Sequence, residues 1–206
     1  HRFYNLRRVE LGSVKPNAMH QFLASLPTLL NPKANKKRTE SIEDITQNVD
    51  GLLERAGAQN VIHLHGELSK IICPHCEHIL DIGYKVFTPR ACKHCGYEQL
   101  KPFVVFFGER APKYMQMYKI FEGLSFKDYM VVIGTSGNVV DISSIIGRCE
   151  WKCKMGLKIL NNLEPSSHIA ESVFDNIYYK PATQAIWEIK TDLLQFFIDN
   201  FNIRND

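Results

Sequence analysis

The sequence predicts an α/β fold, an open parallel sheet with helices, interrupted by a small metal module. Three observations carry this. Continuous apolar runs at Phe103–Phe107 and Tyr129–Ile133, with a third strand-like stretch at Leu157–Leu160, read as buried strands. Helical patterns alternate with those runs, which favours parallel pairing through crossovers. Cys73, Cys76, Cys92 and Cys95 form two Cys-x-x-Cys pairs. A chain of 206 residues suits one domain, or one domain with a small module inserted.

Taken in order, residues 1–30 read as helical. Phe3, Leu6 and Val9 recur at helical spacing, and Pro16-Asn17 starts a second helix with Phe22, Leu23 and Leu26 as its stripe. Residues 31–41 are polar and aperiodic, a surface loop. A short strand ends at Ile45-Thr46 and feeds the loop Gln47–Asp50. A helix with Leu52, Leu53 and Ala56 follows, stopped by Gly57. Val61–Leu64 is strand-like, and residues 67–101 are rich in turns, cysteines and histidines. After the apolar run at Phe103 come a helix around Tyr114–Phe121 and a strand ending in Gly134-Thr135-Ser136. The next strand ends in Asn161-Asn162, and the last helix runs from Ala182 to Phe201 with Ile186, Ile189, Leu193, Phe196 and Phe197 on one face.

Composition narrows the function classes. A net charge of +3 is too weak to imply nucleic acid, and the basic run Lys33–Arg38 reads as a solvated loop. No apolar run reaches ~18 residues, so no membrane span is expected. The opening residues lack the apolar core of a signal peptide, and a cytoplasmic location follows as the expectation. The chain has no initiator Met and is expected to begin inside a longer protein.

The cysteine spacing, C-x2-C-x15-C-x2-C, places two thiolates on each of two tight turns. Four sulfurs in a tetrahedron suit Zn²⁺ and leave no position for water, so the metal is expected to be structural. His75, His78 and His94 read as exposed neighbours rather than ligands. Glu77, Asp81 and Glu98 interrupt any basic face on the ribbon, so direct nucleic-acid binding is not expected. Cys149 and Cys153, four apart in a helical stretch, read as small apolar side chains.

His63 and His65 both lie at a strand end, two apart, and either is a candidate base near neutral pH. Alone, Asn48-Val49-Asp50-Gly51 reads as a turn, and Gly134-Thr135-Ser136 after a buried strand is a place where α/β sheets bind nucleotides. Tyr4 and Arg7 share a helical face.

In order, these motifs resemble the sirtuins, NAD-dependent protein-lysine deacylases. The resemblance rests on Pro16-Asn17-Ala18-Met19-His20, Thr46-Gln47-Asn48-Val49-Asp50-Gly51, His63-Leu64-His65-Gly66, the two cysteine knuckles, Val104-Val105-Phe106-Phe107-Gly108-Glu109, Gly134-Thr135-Ser136 and Asn162-Leu163-Glu164-Pro165. It covers the chain from Phe3 to about Phe197.

The resemblance implies a Rossmann-type sheet plus a small domain of zinc ribbon and helices, divided as 1–41 (helical), 42–66 (catalytic loop and histidine), 67–101 (zinc ribbon) and 102–206 (NAD-binding). It implies NAD and Zn²⁺ as cofactors and acylated-lysine proteins or peptides as partners. The implied products are free lysine, nicotinamide and O-acyl-ADP-ribose, with His65 as base on the ribose hydroxyls. Gln47, Asn48 and Asp50 are implied to bind the nicotinamide and its ribose. Gly134, Thr135, Ser136, Asn162, Glu164 and Ala182 are implied to bind the rest of NAD. Val104, Phe106, Phe107, Gly108 and Glu109 are implied to line the peptide site, although Phe106 and Phe107 also read as core. The step Tyr4-x-x-Arg7 is similar to that of the family branch acting on succinyl- and malonyl-lysine. The family's opening strand and Gly-rich phosphate loop do not occur in this sequence. The chain alone is therefore expected to bind NAD poorly, and a non-catalytic zinc-ribbon binding protein is the competing expectation.

Overall fold

The computed structural model describes residues 1–30, 42–152 and 155–201. The polar loop read at 31–41 and Cys153 lie outside the described residues. Contacts divide the chain into two compact units. The first holds described residues 1–27 and 42–115, the second 28–30, 116–152 and 155–201.

The first unit opens with helix α1 (Arg2–Ser13). Its apolar residues Phe3, Leu6 and Val9 are exposed, while Arg8 is fully buried. Arg8 donates through Nε to the Leu68 carbonyl at 2.7 Å and through Nη1 to Asn5 Oδ1 at 2.6 Å. Asn5 in turn bonds both backbone groups of Phe87 at 2.9 Å. Polar anchoring, not the apolar stripe, therefore seats α1. Helix α2 (Ala18–Leu30) starts where Asn17 Oδ1 accepts the Met19 and His20 N–H groups, a side-chain cap of the expected type. It buries Met19, Phe22, Leu26 and Leu30.

Strands β1 (Asp44–Thr46) and β2 (Val61–His63) pair in parallel, Thr46 opposite His63. Helix α3 (Leu52–Ala56) lies between them in sequence and ends at Gly57, whose φ of 109° puts it in the left-handed region. Strands β3 (Gly66–Ile72), β4 (Ile79–Asp81) and β5 (Lys101–Val104) form an antiparallel sheet in the order β4-β3-β5. Ile71, Cys73, Phe87, Cys92 and Leu100 pack into its core.

The run Phe103–Phe107 is thus not a strand buried on both faces. The strand stops at Val104, pairs antiparallel with β3 and carries only Pro102 buried. Phe107 is fully exposed. The physical reason lies downstream: Gly108 turns at φ 84° and Glu109 bonds back to Phe106, so the aromatics lie in a turn.

Helix α4 (Lys113–Glu122) spans the boundary between the units. In the second unit, β6 (Tyr129–Ile133), β7 (Leu157–Asn162) and β8 (Asn176–Tyr179) form a parallel sheet in that order. Helix α5 (Ile142–Lys152) and residues of β6 and β7 share an apolar core that includes Met130, Val132, Ile146, Cys149 and Leu160. Cys149 is buried there, as expected of a small apolar side chain. A 3-10 turn at Ala182–Gln184 precedes helix α6 (Ile186–Phe201), which buries Ile189, Leu193 and Phe197. The α-helix thus begins four residues later than its apolar pattern suggested. Strand β8 has no continuous apolar run, and its pattern was not legible beforehand.

Candidate active site

In the first unit, everything converges on the loop after β1. The Leu64 N–H donates to the Thr46 carbonyl at 2.9 Å, and Leu68 N–H to the Val49 carbonyl at 2.8 Å. Thr46 Oγ1 accepts the Asn48 N–H at 3.0 Å, and Asp50 Oδ1 accepts the Leu52 N–H at 3.0 Å, starting α3. The loop is thereby held at both ends by its own polar side chains.

Two histidines hold its middle. His65 Nδ1 lies 3.0 Å from the Gln47 carbonyl. A carbonyl only accepts, so Nδ1 carries a proton, and in the neutral ring Nε2 holds the lone pair. Tyr114 Oη lies 3.0 Å from Nε2 and donates to it in that neutral tautomer. His63 Nδ1 lies 3.0 Å from the Asn48 carbonyl, and its Nε2 lies 2.6 Å from Glu54 Oε1. The two candidate bases therefore differ. His63 is buried with both ring nitrogens tied to acceptors. His65 is half-buried and has its lone pair on a displaceable hydroxyl. Tyr114 and Glu54 were missed from sequence. Neither sits in a motif, and only the tertiary fold brings them to the histidines.

Gly66 lies beside this centre, with β3 and β5 in close approach. The Val105 N–H donates to the His65 carbonyl at 2.9 Å. In the turn beyond, the Glu109 carboxylate accepts the Phe106 N–H at 2.9 Å and pairs with Lys101. Lys101, then the Phe106 N–H, hold the Glu109 carboxyl below its ordinary range. The Phe106 ring sits over Lys101 Nζ at 4.2 Å and stacks on Tyr4 at 5.7 Å. Val104 ends β5, and Phe107 and Gly108 stand exposed in the turn. Arg7 is exposed and pairs with Glu10 at 2.9 Å.

The sulfurs of Cys73, Cys76, Cys92 and Cys95 lie within 4.8 Å of one another. Two of the separations are 3.6 Å (Cys73–Cys95) and 3.7 Å (Cys76–Cys92). A zinc–sulfur bond of about 2.3 Å requires a tetrahedron edge of about 3.8 Å, so the four residues fit Zn²⁺. The His94 backbone N–H leads the causes that draw the Cys92 thiol down to about 7, while Cys76 and Cys95 are raised by burial and by sharing protons with the neighbouring sulfurs. His75, His78 and His94 are exposed. His75 stacks on Tyr97 and His78 on His94.

In the second unit, Gly134 and Thr135 follow the carboxyl end of β6. Asn162 is buried and grips Thr135 twice, accepting its N–H at 3.0 Å and donating to its carbonyl at 2.9 Å. Ser166 Oγ bonds the Ser136 carbonyl at 2.6 Å. Gly134 has a φ of 64°, and open space surrounds the place where a Cβ would stand. Bare backbone held open at the carboxyl ends of parallel strands fits the approach of a nucleotide. Glu164 is exposed beyond β7, and Ala182 begins the 3-10 turn.

Comparison with known proteins then decides the family. The Sir2 family model matches residues 1–141. The chain belongs to the Sir2 family. An NAD-dependent protein deacylase of Helicobacter hepaticus is 64% identical over 205 residues, covering 96% of this chain and 80% of that protein. One from Campylobacter jejuni is 38% identical over 197 residues, covering 96% and 77%. Among solved structures, a Sir2 homologue–NAD complex aligns with a TM-score of 0.76 at 28% identity, over 95% of this chain and 72% of that one. A Sir2 homologue bound to ADP-ribose aligns with a TM-score of 0.74 at 27% identity, over 99% and 75%. The sirtuin resemblance and the Rossmann-type sheet read from the sequence are therefore correct. Among the described residues of this sirtuin, no helix is long and apolar enough to cross a membrane.

Proposed function

We propose that this sirtuin removes acyl groups from protein lysines in an NAD-dependent reaction, with His65 as its general base. One observation carries the choice of base. His65 Nε2 faces a displaceable Tyr114 hydroxyl, whereas His63 Nε2 faces the Glu54 carboxylate, so the His65 nitrogen can take a ribose hydroxyl proton. When bound, NAD would supply an electrophilic ribose carbon; with one water consumed, the acyl group would pass from lysine to ADP-ribose, releasing nicotinamide and free lysine.

Gln47, Asn48 and Asp50 bind the nicotinamide end through amide and carboxylate groups. Gly134, Thr135 and Ser136 take the adenosine end, with Asn162 holding the Thr135 backbone in place. Glu164 and Ala182 complete that end. Val104, Phe106, Phe107, Gly108 and Glu109 present an edge and a turn to an extended peptide, whose backbone pairing tolerates varied sequences. Cys73, Cys76, Cys92 and Cys95 hold a structural Zn²⁺. The division into 1–41, 42–66, 67–101 and 102–206 describes these roles.

For the acyl group, the reading favours succinyl and malonyl over acetyl. Tyr4 lies against Phe106 of the peptide turn. The Arg7–Glu10 pair is exposed on both sides, and such pairs are weak, so a substrate carboxylate can displace Glu10 from the guanidinium fork. Cys73, Cys76, Cys92 and Cys95 are free cysteines, and clustered thiols persist as thiols in a reducing compartment, which supports a cytoplasmic location.

The test is nicotinamide release from NAD with a succinyl-lysine peptide, wild type against His65→Tyr. Release no greater than that of the variant would sink the enzyme reading and favour the non-catalytic alternative. Arg7→Met should lose desuccinylation and keep deacetylation, and equal loss of both would remove the acidic-acyl pocket.

A further inference from the structure

His63 stands outside the chemistry assigned above, yet it is the more tightly held histidine. It is 6% exposed. Its Nδ1 faces the Asn48 carbonyl, a group that can only accept, so Nδ1 must carry a proton. Its Nε2 faces Glu54 Oε1 at 2.6 Å. An ionised carboxylate also only accepts. A neutral imidazole opposite an ionised carboxylate would set lone pair against lone pair, so the pair must hold one further proton. Glu54 has 40% of its side chain exposed, which favours its charged form over a buried neutral acid. The short contact fits a charge-assisted hydrogen bond.

We propose that His63 is an imidazolium bound to Glu54, and that this pair is a proton-dependent clamp positioning the Gln47–Asp50 loop. The assignment rests on the reading of that loop as the nicotinamide site. His63 and Glu54 are positioning residues: they touch neither substrate nor NAD. The Asn48 carbonyl is their only handle on the loop among the bonds described above. Loss of the pair loosens the hold on the Asn48 carbonyl, while the His65–Gln47 and Leu68–Val49 bonds remain.

The neighbouring charges are consistent with an anionic Glu54. Asp44, on β1, is pushed up to about 6 by its burial, then by Glu54 and Glu43. Arg55, the cation next to Glu54 on α3, turns away to the carbonyls of Leu11 and Val14. Asp50 caps the Leu52 N–H, and on β3 Glu67 and Lys70 pair with each other. His63 is thus the cation bonded to Glu54.

Glu54→Gln separates charge from shape. The amide can donate to the Nε2 lone pair of a neutral His63, so the clamp closes without the extra proton. Glu54→Ala leaves Nε2 without this partner. Glu54→Gln should keep a KM for NAD within about twofold of wild type at pH 7. Glu54→Ala should raise KM about tenfold, with kcat changing less than about threefold.

A readout independent of turnover accompanies these. With ¹⁵N-labelled histidine, both His63 ring nitrogens should appear protonated in wild type, and only one in Glu54→Gln. A Glu54→Ala KM equal to that of wild type, or a His63 with one protonated nitrogen in wild type, would overturn the clamp. If wild type releases no nicotinamide at all, the deacylase reading itself fails, and the nitrogen spectra alone then decide whether the pair is charged.

Discussion

Gly66→Ala tests the close approach on which His65 depends. Gly66 has a φ of 84°, and a Cβ there would meet the Phe103 carbonyl oxygen at 2.1 Å, its carbon at 2.9 Å and the Val104 Cα at 3.1 Å. All three are backbone atoms, so no side chain can swing aside. A positive φ alone costs a residue with a Cβ roughly 1–2 kcal/mol. Restoring a normal contact of about 3.5 Å requires β3 and β5 to part by more than an ångström, an overpacking cost of roughly 1–3 kcal/mol. That parting also strains the Val105–His65 hydrogen bond, worth about 1 kcal/mol. The expected loss is on the order of 4 kcal/mol, a large share of a total stability of about 5–15 kcal/mol. Gly83→Ala is the control. Its φ is 59° with nothing within 4 Å, so it should lose only about 1 kcal/mol. Urea titration followed by circular dichroism compares the two midpoints, and soluble yield serves if Gly66→Ala does not fold. Equal midpoints for the two variants would show that the strands yield freely, and the packing argument would fail.

Three further outcomes are expected. Asp44→Asn should stabilise the protein above pH 6 and not below about pH 4. The wild-type carboxyl is raised from 3.8 to about 6, so the folded state loses stability as pH rises through that window, by roughly 1–2 kcal/mol once partial exposure is discounted; melting temperatures at pH 7.5 and 4 check it. Removing zinc with a chelator, or Cys95→Ser, should unfold the ribbon, because a closed four-thiolate site contributes folding energy of order 10 kcal/mol. Metal analysis showing no zinc in the purified protein would contradict that. Tyr114→Phe removes the hydroxyl that occupies His65 Nε2 and should raise kcat/KM for NAD by about threefold, read from nicotinamide release; a fall would mean that Tyr114 aids the reaction rather than competing with it.

What the sequence revealed follows from how local each cause is. The cysteine knuckles were legible because ligand spacing is a covalent constraint, and the sulfurs came together as that spacing required. An unbroken apolar run made β6 legible, and β7 followed from Leu157, Ile159 and Leu160 around Lys158, which pairs with Asp175 at 3.1 Å. Phe103–Phe107 satisfied the same rule and misled. Its apolar character serves an aromatic turn, fixed by Gly108, Glu109 and Lys101, none of which alters the run itself. The Gly134 loop was found, but not the way it is held: Asn162 grips Thr135 from 27 residues away.

The histidines show the deeper limit. From sequence, His63 and His65 are alike: two residues apart, at one strand end. Both prove to donate Nδ1–H to a carbonyl of the same loop, from adjacent residues. What separates them is the group at Nε2, and in each case that group comes from another element. A carboxylate from α3 demands a second proton on His63. A hydroxyl from α4 can be met by a bare lone pair on His65. A base must begin the reaction unprotonated, so Glu54 disqualifies one ring and Tyr114 leaves the other eligible. Exchanging those partners is the sharpest consequence. In the double variant Glu54→Gln with Tyr114→Glu, His65 should acquire the extra proton and lose its basic function at neutral pH, while the loop stays clamped. A fall in nicotinamide release at pH 7 is the expected result. Full release at pH 7 would show that the Nε2 partner does not decide which histidine acts.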